Sequence, residues 1–193
     1  MFERYILYSL INNPQTNGTF GEIIVKSMFE SKFYGPDERY LVNNIYFEDV
    51  DGTHQIDHIL ILQKGIFVIE TKHINGKITI NENGNWVATY GPKVFEMIDP
   101  IKQNDHHCKV VKAFMHNQYN VHSVIVFTTE NKPQGVADFV VNFSKLKQYL
   151  HNLDTGENIS SEEMKQINDW LTTNKQECTV TPQEHIDNIK NKK

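Results

Sequence analysis

Two neighbouring segments constrain this chain more than any other feature. They are Gln55-Ile56-Asp57-His58-Ile59-Leu60-Ile61-Leu62 and Ile66-Phe67-Val68-Ile69-Glu70-Thr71-Lys72, joined by Gln63-Lys64-Gly65. A strand with one wet face alternates apolar and polar residues. Residues 59–62 and 66–69 do not alternate, so both strands are expected at the middle of a sheet covered on its two faces. A chain of 193 residues is one domain's worth. It can bury about two-thirds of its unfolded surface without disulfide or metal staples. The longest uncharged apolar runs, 59–62 and 66–69, fall far short of the roughly 20 residues that span a bilayer.

The flanking sequence supplies the covering layers. Thr19-Phe20-Gly21-Glu22 reads as a capping box opening a helix to about Phe33, stopped by Gly35-Pro36. Residues 40–47 read as a strand before an Asp51-Gly52 turn. Asn75-Gly76 and Asn83-Gly84 turn the chain into strands at 77–80 and 86–90. Asp99-Pro100 opens a helix whose buried stripe is Ile101, Cys108, Val111 and Met115. Strands at 121–128 and within 136–143 follow. Then come a helix at 146–153 capped by Ser144, a second from Ser160-Ser161-Glu162-Glu163 to about Thr173, and a last one from Pro182. Strands clustered between helices make this an α/β chain, a mixed β-sheet flanked by helices. Residues 1–150 are expected to form the core and 151–193 a helical extension packed on or beside it. Met164, Ile167 and Leu171 share one face of that extension, which either covers the sheet or docks on a second copy or a protein partner.

Composition excludes several classes. With 39% apolar and 22% charged residues the chain is not a disordered tail. Met1-Phe2-Glu3-Arg4-Tyr5-Ile6-Leu7 has neither the basic nor the apolar region of a signal peptide. Cys108 and Cys178 form no disulfide framework, which fits a reducing cytoplasm. The net charge of −5 advertises no broad basic surface. Of the 19 basic residues only Arg4 and Arg39 are arginine. With 20 Asn and 20 Ile, this reads as the AT-rich coding bias of certain bacteria.

The chemistry gathers where the paired strands end. Glu70 and Lys72 share a face of one strand, and Gln55 and Asp57 a face of the other. If the loop is Gln63-Lys64, Asp57 lies opposite Glu70 and Gln55 opposite Lys72. If it is Lys64-Gly65, Asp57 lies opposite Lys72 and diagonal to Glu70. Both registers bring the four polar side chains to one face, with facing Cβ atoms about 5 Å and diagonal ones about 7–8 Å apart. Two partly desolvated carboxylates at that range repel, and one is forced toward its protonated form unless a cation joins them. Mg²⁺ or Mn²⁺ is the natural cation, being hard and satisfied by one or two carboxylates with water. The Thr71 carbonyl offers a further oxygen. The plain alternative is a solvated strand end with an ordinary salt bridge. His54, His58, His106, His107 and Cys108 invite a zinc reading, but their spacing does not support it.

The combination resembles the nuclease-related domain (NERD) family. It comprises Gly21-Glu22, Gln55-Ile56-Asp57-His58, Gly65 to Lys72, Gly76-Lys77-Ile78, Gly84-Asn85-Trp86 and Pro100-Ile101-Lys102-Gln103. That family is similar to the PD-(D/E)xK nucleases, so the resemblance implies a restriction-endonuclease-like fold. It covers about residues 18–130 and leaves the C-terminal helices unexplained. Carried over, Asp57 and Glu70 are metal ligands and Lys72 the catalytic lysine. Glu22 is an auxiliary acid on the first helix, although it also completes the capping box with Thr19. Gln103 faces the site from the next helix, and the Gln55 amide meets Lys72 or a substrate phosphate. The implied activity is a cytoplasmic, Mg²⁺- or Mn²⁺-dependent nuclease acting on DNA, with no membrane partner. The alternative is a nuclease-like module that binds nucleic acid or protein and cleaves little, which the negative net charge favours because phosphate affinity rests on Lys and Arg.

Overall fold

A computed structural model of the chain describes residues 14–31, 38–49 and 52–173. Its elements are α1 (Pro14–Glu30), β1 (Arg39–Asp49), β2 (Gly52–Leu62), β3 (Gly65–Lys72), β4 (Lys77–Ile80), β5 (Trp86–Tyr90), β6 (Lys93–Glu96), α2 (Pro100–Phe114), β7 (Val121–Phe127), β8 (Val140–Asn142), α3 (Phe143–Asn152) and α4 (Ser161–Thr173). The main sheet has the order β1-β2-β3-β7-β8. β1, β2 and β3 are antiparallel neighbours, and β3, β7 and β8 run parallel. β4, β5 and β6 form a second, antiparallel sheet. A mixed five-stranded sheet flanked by helices is the restriction-endonuclease-like architecture.

The central hairpin sits where its two-sided apolar pattern puts it. Ile59, Leu60, Ile61 and residues 66–69 are wholly buried. Odd-numbered Ile59 and Ile61 of β2, with Ile66 and Val68 of β3, pack against Cys108, Val111 and Met115 on the α2 side. Met164, Ile167 and Leu171 of α4 complete that layer. Leu60, Leu62, Phe67 and Ile69 pack on the opposite face against Val25 and Phe29 of α1 and Leu146 and Leu150 of α3. The apolar face of α4 therefore covers the sheet. Trp86 stacks on Phe127, rings 6.1 Å apart, which fastens the small sheet to the end of β7.

Local signals explain several boundaries. Asp99 Oδ1 accepts the Ile101 and Lys102 N–H groups at 2.9 and 3.3 Å, with Pro100 in the first turn of α2. Ser160 and Glu163 exchange reciprocal capping bonds ahead of α4. Lys64, in the β2–β3 turn, donates to the Leu150, His151 and Leu153 carbonyls and so closes the C-terminus of α3.

Other expectations need correction. Thr19 is not a helix start: α1 begins at Pro14, five residues upstream, with Pro at the first helical position. Thr19 and Glu22 lie within the helix, which leaves Glu22 without a capping role, and α1 ends at Glu30, short of Phe33. Ser144 lies within the first turn of α3, and its N–H and hydroxyl both go to Glu130. β6 had no expectation, because its four residues are all exposed and carry no burial pattern. Phe33, the Gly35-Pro36 stop, Asp51, Cys178 and the helix from Pro182 lie outside the described residues.

Candidate active site

The hairpin register is Leu62↔Gly65 through His58↔Ile69. Of the two registers open to the sequence, this is the one that sets Asp57 opposite Glu70. The ladder ends at His58↔Ile69, one step short of that pair. Continued, it would pair Ile56 with Thr71 next. Instead, Asp57 Oδ2 accepts the Thr71 N–H at 2.7 Å, a carboxylate standing in for a backbone carbonyl. The neighbouring strand shows why β2 turns here. Asn44 lies across from Asp57, between the pairs Asn43↔His58 and Ile45↔Ile56, and has φ 52. Asn tolerates that left-handed conformation better than most residues. At this point the alternation slips: Ile56 and Ile59 pack into the same cluster, as do Val42 and Ile45. The Asp57 carboxylate is thereby swung toward β3.

Glu70 and Lys72 face α2. Lys72 Nζ lies 2.5 Å from Glu70 Oε1 and donates to Gln103 Oε1 at 3.0 Å. His107, one helical turn beyond Gln103, places Nδ1 3.4 Å from Glu70 Oε2. That contact lacks hydrogen-bond alignment, and both atoms are buried without a hydrogen-bond partner. Asn104, on the same face of α2, donates to the Val68 and Val124 carbonyls and to Ser123 Oγ, which pins the helix across β3 and β7.

Glu22 approaches from α1. The helix can lie this close to β3 because residue 21 is glycine. A Cβ there would stand 2.8 Å from His73 Cβ and 3.0 Å from Thr71 Cγ2. Gln55 does not join the group: its amide donates to Asn44 Oδ1 at 2.8 Å. The structure thus brings together Asp57, Glu70, Thr71, Lys72 and Gln103, with Glu22 in electrostatic range, and leaves Gln55 on the β1 side.

The electrostatics follow from burial. Asp57 is held well above the usual carboxylate range by burial first, then by the charges of Glu70 and Glu22; the Thr71 N–H and Lys72 oppose this. Burial, then Glu70, also raises Glu22. Burial pushes Glu70 up as well, but the Lys72 charge and His107 outweigh it and hold Glu70 low. Burial pulls Lys72 down, but the charge and hydrogen bond of Glu70, with Asp57 beyond, win and hold it above its ordinary value. The cluster therefore has one firm ion pair, Glu70 with Lys72, and an excess of carboxylate that Lys72 alone does not neutralise.

These residues fit a hard divalent cation. Glu70 Oε2 is a buried carboxylate oxygen with no hydrogen-bond partner. Asp57 is destabilised as an anion by burial first and then by its acidic neighbours. The donors are oxygens, as Mg²⁺ and Mn²⁺ prefer. Among the described residues no group of three His, Cys, Asp or Glu side chains stands ready as a metal cluster. A cation here would rely on two carboxylates, the Thr71 carbonyl and water.

The nuclease-related domain model matches residues 17–128, from α1 through β7. The chain belongs to the nuclease-related domain family. An uncharacterized protein of Bacillus anthracis is 31% identical over 116 residues, 59% of this chain and 54% of that protein. The chain spans about half the length of that curated relative. No solved structure matches it. In this nuclease-related domain the matched segment carries every residue of the cluster. β8, α3 and α4 lie beyond it.

His107 is the site neighbour that sequence reasoning missed. The signal that could have found it is its spacing, four residues after Gln103 on one helix face. His106 turns instead toward His54, Nε2 to Nε2 3.3 Å. His58 is buried with Nδ1 2.7 Å from Asn43 Oδ1. Cys108 is buried in the α2 stripe, and burial first pushes its thiol up to about 12. Among the described residues no helix is long and apolar enough to cross a membrane.

Proposed function

We propose that this nuclease-related domain hydrolyses phosphodiester bonds in DNA with Mg²⁺ or Mn²⁺. The observation that carries the reading is the convergence of Asp57, Glu70 and Lys72 where the β2–β3 ladder ends, with Gln103 on the lysine. Asp57, Glu70 and the Thr71 carbonyl would hold the cation. When bound, it supplies an acidified water and neutralises charge on the phosphoryl oxygens.

The chain's own groups supply the rest. Lys72 keeps its proton because Glu70 holds it above its ordinary value. Its Nζ therefore acts as a fixed positive charge and donor that orients the attacking water or meets charge growing on the scissile phosphate, not as a base. Gln103 fixes the ammonium from the side of Nζ that Glu70 does not occupy. Glu22 adds a third carboxylate on the α1 side that can help hold a cation or its water. Soluble and cytoplasmic placement belongs to the same proposal.

The test is incubation of purified protein with plasmid, linear and single-stranded DNA, with Mg²⁺, Mn²⁺ or a chelator. Wild type is expected to cleave only with the cation, and Asp57→Asn and Lys72→Ala are expected to lose cleavage. Cleavage that survives both changes removes the assignment. A second reading has one observation behind it: Lys72 is already closed on Glu70 as an ion pair. A binding module would need no more. Salt-dependent DNA binding without cleavage in any divalent cation selects that reading.

A further inference from the structure

We infer that Phe20, backed by His73, stacks an unpaired nucleobase beside the catalytic cluster, so that the strand this site takes is single-stranded at that point. The inference rests on the nuclease reading for its substrate and on separate residues for its support.

α1 buries one stripe, Gly21, Val25 and Phe29, against the sheet. Phe20 is off that stripe and 55% exposed, although its helix has an apolar face to use. Its ring meets His73 edge to face, centroids 5.3 Å apart and planes at 83°. His73 is itself anchored, Nδ1 2.8 Å from Thr128 Oγ1. Gly21 holds the two rings together, since helix and strand approach there closer than a Cβ allows. The pair adjoins the site from the α1 side: Gly21 packs on both His73 and Thr71, and Thr71 donates its N–H to Asp57. It is thus a supported ring with open surface, on the α1 side of a cluster that would handle a phosphodiester.

Charge favours stacking as the source of affinity. The chain carries net charge −5, so its overall field does not draw in a polyanion. Arg39 is spent on structure: its guanidinium donates to the Phe29 and Ser31 carbonyls at the end of α1. Base stacking on an aromatic side chain is sequence-tolerant and does not depend on net charge. In a duplex both faces of each base are already stacked, so an unpaired base is what an open ring recognises.

The experiment is direct binding of a short single-stranded oligodeoxynucleotide carrying 2-aminopurine, without divalent cation, to the full chain bearing Asp57→Asn. Quenching of the fluorophore is expected, with affinity falling about 5- to 150-fold on adding Phe20→Ala. Phe20→Trp should retain both quenching and affinity, Phe20→Leu should lose them, and duplex affinity should not respond to Phe20→Ala. Because Phe20 is exposed, its replacement should leave the thermal midpoint in place. Undiminished binding by the Phe20→Ala and Phe20→Leu variants, equal losses on duplex and single strand, or a large fall in thermal midpoint without loss of affinity overturns the inference. Cleavage by wild type without any Phe20 dependence of binding would refute the stacking and spare the nuclease reading. Phe20-dependent quenching with no cleavage in any cation would do the reverse.

Discussion

Asp57 Oδ2 accepts the Thr71 N–H at 2.7 Å, so a carboxylate completes the hydrogen bonding of β3 where β2 has left it. One side chain thereby does two things: it ends the ladder, and it sets an acid beside Glu70. The second is costly for the protein without a cation. Burial and the charges of Glu70 and Glu22 raise its pKa. Stability from a raised acid is complete below its ordinary pKa and is lost as pH rises through the raised value. At neutral pH the cost is in force. Asp57→Asn is therefore expected to stabilise the cation-free protein by about 1 kcal/mol, read by urea unfolding. Mg²⁺ should raise the thermal midpoint of wild type and not of the variant.

Gln103 holds Lys72 from α2, and hydrogen bonds to charged groups contribute about 1.5–3 kcal/mol. Gln103→Ala should lower kcat about 10- to 100-fold with KM little changed, since its partner is the lysine and not the substrate. Steady-state kinetics on a fluorogenic oligonucleotide provide the check. A rise in KM alone would place Gln103 on the substrate.

Gly21→Ala improves helix propensity by about 1 kcal/mol but puts a Cβ 2.8 Å from His73 Cβ. Neither atom is the far end of a flexible chain, so α1 must shift. A net destabilisation of about 1–3 kcal/mol is expected in urea unfolding, with a loss of cleavage as Glu22 moves.

His58 gives the clearest pH dependence. Burial first, with Lys26 adding and Glu70 opposing, lowers its pKa from 6.5 to about 4. The unfolded chain binds a proton near pH 6.5 that the folded protein refuses until about pH 4. Stability is therefore complete above 6.5 and is lost as pH falls through that window, by about 3 kcal/mol in all. His58→Leu should flatten unfolding free energy over this range.

Sequence legibility followed how local each cause was. The central hairpin was legible because covering both faces of a strand leaves its mark in consecutive residues. Its register was open because Gln63-Lys64-Gly65 admits two loops that keep the same faces; the fold takes the two-residue Gln63-Lys64 turn, with Leu62↔Gly65. The start of α1 was missed because Thr19 and Glu22 make a good capping box by spacing alone, while Asn17-Gly18 reads as loop upstream. In the fold Gly21 answers to close packing on Thr71 and His73, which no local rule registers. Within the site, Asp57, Glu70, Lys72 and Gln103 could be read from strand alternation and family pattern. His107 meets Glu70 only through the docking of α2 across β3. Gln55 was drawn in by a strand alternation that breaks at Asn44 and Asp57.

The most direct test of the account is anomalous scattering from crystals soaked in Mn²⁺. One peak is expected between Asp57 and Glu70, within bonding distance of a carboxylate oxygen from each and of the Thr71 carbonyl, with Glu70 released in part from Lys72. Crystals that bind no manganese at this cluster at saturating concentration, with Lys72 still closed on Glu70, would contradict it.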